Sequence, residues 1–234
     1  MSSIVRSVGD IGASGLIVDI ECHLSKGLPA MIIVGSANKS IDEAKERVRS
    51  SFASADLNFP KKRITINLAP ADLPKEGTGY DLAIAAAILL ASQQVKAELL
   101  DETVVIGELG LDGKVRPVRG IIGKILSARS KGFKTFFIPQ ANLKQAILVP
   151  GVKLIPIKTV REFYLVLTAT LPIKKLSTSE QTKFMPLEKE TYKVDLSDII
   201  GQERAKRGLE ISAAGGHNLF LNGPPGTGKT MLAK

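Results

Sequence analysis

Residues 223–230 read GPPGTGKT, and no other stretch of the chain limits its fold so tightly. A glycine-rich loop closing on Lys-Thr works only where a strand delivers the chain to it and a helix carries the chain away, so the motif predicts a strand–loop–helix unit at its own position. Residues 218–222 supply the apolar strand expected before the loop. Upstream, 203–214 reads as a helix halted by Gly215 and Gly216, a strong C-terminal stop. Only four residues lie beyond Thr230, so the sequence is expected to hold the opening of such a module and not the whole of it.

Each residue type in the motif has a chemical task. Gly223, Pro224 and Pro225 begin the turn, and Gly226, Thr227 and Gly228 let successive backbone N–H groups converge on phosphate oxygens. Lys229 is expected to reach the β- and γ-phosphates, and the Thr230 hydroxyl to coordinate magnesium. ATP and Mg2+ are therefore the expected cofactors, with Thr230 as the metal contact. Hydrolysis also needs an acidic residue on a neighbouring strand and a group that orients water. Both would lie past Lys234, so no catalytic residue is assigned, and the chain alone is expected to bind ATP weakly and turn none over.

The remaining sequence is long enough for one proper core. Its 234 residues correspond to roughly one and a half domains. A single cysteine, Cys22, excludes an internal disulfide framework. The N-terminal residues lack a secretory pattern, and the longest apolar run, 82–91, is too short to span a bilayer. A cytoplasmic protein with no membrane partner is expected. The net charge of +9 is spread along the chain, with local concentrations at Lys61, Lys62 and Arg63 and again at Arg116, Arg119 and Lys124. Such cations suit a polyanion, and these six are the candidate DNA contacts. Charge alone favours ordinary solvated faces over that reading.

Periodicity places the elements. Residues 18–24 alternate as a half-buried strand, and 30–34 return as a second one after a Gly-Leu-Pro turn. A helix follows with an apolar stripe at Ile41, Ala44, Val48, Phe52 and Ala55, and with Ser40 and Glu43 spaced as a capping box. Residues 63–68 alternate again. The loop 69–79 carries Asp72, Lys75 and Glu76, which are expected to be exposed. It leads into 80–94, apolar on every side and so a buried central helix. A hairpin is expected about Asp112-Gly113, then a helix at 119–131, a strand at 135–139 and helical pieces at 141–148 and 159–169. Helices laid on a mixed sheet give an α+β architecture for residues 1–170. Residues 171–194 lose hydrophobic periodicity and read as a linker, with the truncated module at 195–234.

Several segments together resemble the magnesium-chelatase-like AAA+ family of the YifB/ComM type. They are Gly27-Leu28-Pro29 with Ile33-Val34-Gly35, Glu46-Arg47-Val48-Arg49-Ser50, RITINLAPADLPKEG at 63–77 followed by Tyr80-Asp81-Leu82, Gly107-Glu108-Leu109, and Ala214-Gly215-Gly216-His217-Asn218. The resemblance implies a first domain of the ribosomal protein S5 domain 2-like fold, shared with the catalytic domain of Lon protease, and a chelatase-type AAA+ module after it. It also implies a hexameric, ATP-driven motor that remodels DNA branches during recombination and natural transformation. The alternative is a non-enzymatic domain that docks partners for such a motor. A Lon-type peptidase would need a serine and a lysine base, and the matching positions are Gly79 and Ile122, which offer neither.

Three further groups have competing readings. Asp19, Glu21 and His23 share one strand face, where polar alternation explains them better than a metal does. His217 fits a backbone or packing role better than catalysis. Arg47 and Arg49 suit phosphates, but Glu43 and Arg47 also make a simple i,i+4 helix pair.

Overall fold

A computed structural model describes residues 3–11, 14–35, 39–73, 75, 77–173, 175–178 and 195–233. The chain divides into two compact units, Met1–Thr182 and Lys183–Lys234.

The first unit is built on strands β1 (Ser3–Ile11), β2 (Ser14–Ser25), β3 (Ala30–Val34), β4 (Arg63–Ala69), β5 (Thr103–Val105), β6 (Glu108–Leu109), β7 (Val115–Arg116), β8 (Thr135–Pro139), β9 (Lys153–Ile157) and β10 (Leu176–Ser177). Its helices are α1 (Lys39–Asp42), α2 (Ala44–Ser54), α3 (Asp81–Ala91), α4 (Ile121–Ser130), α5 (Leu143–Ala146) and α6 (Val160–Leu167). Eight strands form one mixed sheet in the order β10-β9-β8-β5-β1-β2-β4-β3, and β6 and β7 make a separate hairpin about the Asp112-Gly113 turn. Strands β1, β5, β8 and β9 run parallel to their neighbours in that run, whereas β1–β2, β2–β4 and β9–β10 are antiparallel.

Burial explains this layout. In β5, β8 and β9, successive residues enter opposite cores: Val105, Phe137 and Ile155 on one face, Val104, Phe136 and Leu154 on the other. A parallel strand covered on both sides carries apolar residues without alternation. The first core holds α2, α3 and α6, with Phe137 and Phe163 in edge-to-face contact at 5.1 Å. The second holds α4 and α5. As the sequence predicts, α3 is buried nearly all round, from Asp81 to Leu89.

Several expectations need correction. Strands β1, β9 and β10 are additional to those read from the sequence. Leu176 and Ser177 pair with Leu154 and Lys153, inside the stretch expected as linker, because the edge of β9 offers them a ladder. The helix near residue 40 starts at Lys39, so Ser40 sits within its first turn rather than ahead of it. Residues 218–222 form no strand: among the described residues no neighbour supplies a ladder, and the Phe220 side chain stands 87% exposed. Residues 179–194 of the expected linker, Glu76 and the Ser40 side chain lie outside the described residues.

The second unit contains a 3-10 turn at Leu196–Asp198, helix α7 (Glu203–Gly215) and the short helix α8 (Lys229–Leu232). Gly216, left-handed at φ 64°, ends α7. His217 serves that ending through its backbone: its N–H donates to the Ser212 carbonyl, and the His217 carbonyl accepts from the Ser212 hydroxyl.

Candidate functional site

The loop before α8 is shaped by two glycines. Gly226 and Gly228 have φ of 81° and 80°, and a Cβ at either would meet nothing within 4 Å. Glycine is required there by backbone conformation and not by space. The Thr227 hydroxyl donates to the Pro224 carbonyl (2.9 Å) and holds the turn, and the Gln202 amide reaches the Thr227 carbonyl (3.3 Å). The Lys229 ammonium folds over the loop and donates to the carbonyls of Gly223 (2.7 Å) and Pro224 (2.5 Å). Thr230 is exposed beside it on α8. Residues 223–230 hold an ammonium and two hydroxyls but no carboxylate, a donor set that suits an anion such as a triphosphate.

A second constellation, which sequence reasoning missed, lies in the first unit. Asp81 at the start of α3 is 1% exposed, and its carboxylate accepts three hydrogen bonds. Two come from the Arg47 guanidinium (2.7 and 3.1 Å) and one from the Leu109 N–H (3.1 Å). Burial pushes the Asp81 carboxyl above the usual carboxylate range, and the Arg47 pair and the Leu109 N–H pull it back. Arg47 is raised in turn, first by its hydrogen bonds to Asp81. Next to the pair, the Thr78 hydroxyl donates to Glu108, whose other oxygen faces Arg116 at 3.7 Å. Arg47 therefore serves Asp81 first, and the Glu43 charge on the same helix adds a weaker attraction. The bidentate link ties α2 to α3, and the Leu109 contact ties α3 to the β6–β7 hairpin.

Gly79 and Ile122 carry neither nucleophile nor base where the sequence comparison placed a peptidase dyad. Their polar neighbours are engaged elsewhere: Thr78 on Glu108, and Lys124 buried (6% exposed) on α4. That burial also removes Lys124 from the candidate DNA contacts, because a phosphate cannot reach it. Lys61, Lys62 and Arg63 are exposed around the start of β4, and Arg116 on β7 and Arg119 after it are exposed as well. Lys75 is not an exposed loop residue: it is buried, its amine donating to the Pro70 carbonyl and pushed down by desolvation. Asp19 pairs with Arg6 (3.6 Å), and Glu21 accepts from Asn67 (3.0 Å). No metal-holding cluster occurs among the described residues.

Residues 20–142 match the family described as subunit ChlI of Mg-chelatase, and residues 195–234 match magnesium chelatase, subunit ChlI. The chain belongs to the magnesium-chelatase-like family of AAA+ proteins. Within it, the chain is 44% identical to YifB of Escherichia coli over 99% of its own length and 44% of that protein. It is 43% identical to the competence protein ComM of Haemophilus influenzae, over 99% of the chain and 45% of that protein. A more distant relative is the Lon protease of Trichlorobacter lovleyi, 26% identical over 73% of the chain and 22% of the protease. The chain thus spans less than half the length of the family relatives it matches. No helix among the described residues is long and apolar enough to cross a membrane.

Proposed function

We propose that this chain is the N-terminal part of an ATP-driven AAA+ motor that remodels DNA in the cytoplasm as a homo-hexamer, in recombination and natural transformation. The observation that carries the nucleotide half of this reading is the loop itself: left-handed Gly226 and Gly228 with the Lys229 ammonium folded over its mouth. Similarity to a competence protein supports DNA as the object of the motor. In this reading the first unit has the S5 domain 2-like fold, which its mixed sheet and its likeness to Lon protease support.

In this reading each residue of the loop has its own task. Gly226, Thr227 and Gly228 present backbone N–H groups to the phosphates, and Gly223, Pro224 and Pro225 set the entry to the turn. Lys229 exchanges the Gly223 and Pro224 carbonyls for phosphate oxygens, and Thr230 offers its hydroxyl to magnesium. Magnesium, when bound, neutralises charge developing on the phosphates. Exposed Lys61, Lys62, Arg63, Arg116 and Arg119 remain available to a polyanion.

The test is ATP turnover by the full-length protein with and without branched DNA. Stimulation by DNA that disappears in Lys229→Ala is expected. Turnover indifferent to DNA of every form would overturn the DNA half of the proposal.

A further inference from the structure

The large sheet ends on one side at β3, whose outer edge pairs with no strand among the described residues. Its sequence is AMIIV, with neither charge nor proline, and Ala30 and Val34 are exposed. Sheet edges in soluble proteins are normally guarded by lysine, proline, a bulge or a covering element, because an open edge templates another strand. This edge carries none of those residue-level guards.

Beside it lies a groove of about 520 Å³, walled by the first residues of β3, the outward side of α2 and the segment 57–62. Met31, Leu57 and Phe59 give it an apolar floor, steadied by the edge-to-face contact of Phe59 with fully buried Phe52 at 5.3 Å. Lys45 and Arg49, one helical turn apart, line one wall, and Lys61 and Lys62 line the other. Glu46 is the carboxylate among the lining residues, and Asp42 engages Lys45. Among the described residues no carboxylate pairs with Arg49, Lys61 or Lys62.

We propose that this surface captures an extended, acidic segment of a partner protein by strand addition along β3. The segment's main chain pairs with the open edge, and the side chains of one of its faces enter the groove, apolar ones onto Met31, Leu57 and Phe59 and carboxylates onto Arg49, Lys61 and Lys62. A second copy of this chain fits poorly, because edge-to-edge pairing would bring two sets of the same cations together. A nucleic acid fits the cations but not the strand: it has no main chain of alternating N–H and C=O groups at the strand repeat, so it cannot continue the ladder along β3. The surface lies wholly in the first unit and does not depend on the nucleotide reading.

The test uses residues 1–234 and a fluorescein-labelled nine-residue peptide, Val-Thr-Glu-Thr-Val-Thr-Glu-Thr-Val, which carries Val and Glu on one strand face, followed by anisotropy. Saturable binding is expected, weakened about tenfold or more by Arg49→Glu with Lys62→Glu, two exposed positions whose reversal leaves the circular dichroism unchanged. Two further peptides carry N-methyl groups on odd or on even amides. Only one set faces β3, so one peptide should lose binding about tenfold while the other keeps it. Absence of saturable binding overturns the proposal, as does equal behaviour of the two N-methylated peptides. So does binding of a twelve-nucleotide oligo(dT), lost in the same variant, when the acidic peptide fails to bind. A concentration-dependent dimer abolished by Val34→Lys would also overturn it, assigning the edge to a second copy.

Discussion

Replacing Arg47 with methionine should be among the most damaging substitutions on α2. Methionine keeps an unbranched apolar stem but removes the guanidinium that makes two of the three hydrogen bonds to Asp81. Asp81 is 1% exposed, so water cannot replace what is lost, and the remaining Leu109 N–H is a single neutral donor. Removing one partner of a buried ion pair costs about 3–5 kcal/mol, against at most about 1 kcal/mol for an exposed pair such as Arg207–Glu210. Urea unfolding of the first unit, followed by circular dichroism, measures the loss. Because Asp81 already lies above its ordinary range through burial, the variant should favour the protonated carboxyl still further. A folded-state pKa above the unfolded value means stability that is present at low pH and lost as pH rises through the folded pKa. The penalty should therefore shrink as pH falls toward about 4, and Arg47→Met with Asp81→Leu should recover most of it at neutral pH. A loss below about 1 kcal/mol, or one independent of pH, would refute the claim that this pair is a desolvated link between α2 and α3.

Other perturbations test separate parts of the account. Phe137→Ala removes a fully buried ring packed on Phe163 and should cost about 3–5 kcal/mol in the same unfolding assay. The Cys22 thiol, pushed up to about 12 by burial, should resist alkylation at neutral pH until urea unfolds the chain; rapid labelling of the folded protein would contradict its core placement. Gly228→Ala forces a side chain into φ 80° at an open site, so it should impair nucleotide binding by full-length protein while leaving the first unit's unfolding midpoint unchanged. Gly35→Ala would put a Cβ 2.3 Å from the Leu68 carbonyl at φ 99°, and a measurable drop in that midpoint is expected.

What could be read from the sequence was what repeats locally. Strands β2, β4 and β8, the buried helix α3 and the turn at Asp112-Gly113 each declare themselves within a few residues. Strand β1 does not, because it lies between β5 and β2 and sends Val5 and Val8 into opposite cores, which erases the period of two. Pro156, opposite Ile138 in the ladder, disguises β9 as a non-strand. The short β10 exists only because β9 is there to pair with it. Charged residues misled most. Lys75 and Lys124 are buried although lysine ordinarily is not, and Arg47 finds a partner 34 residues away that no helical spacing suggests. The groove beside β3 draws on three separated segments, so its cations had no local signature beyond Lys61 and Lys62. The glycine-rich loop at 223–230 declares itself because its residues are consecutive, whereas the strand expected at 218–222 needed neighbours that the described residues do not supply.

The central claim is that the turn from Gly223 to Thr230 grips a nucleoside triphosphate. Equilibrium dialysis of labelled ATP with magnesium against the full-length protein and its Lys229→Ala variant tests it most directly. Retention by the unaltered protein and its loss in the variant is the predicted result; equal retention by both, or by neither, would contradict the account.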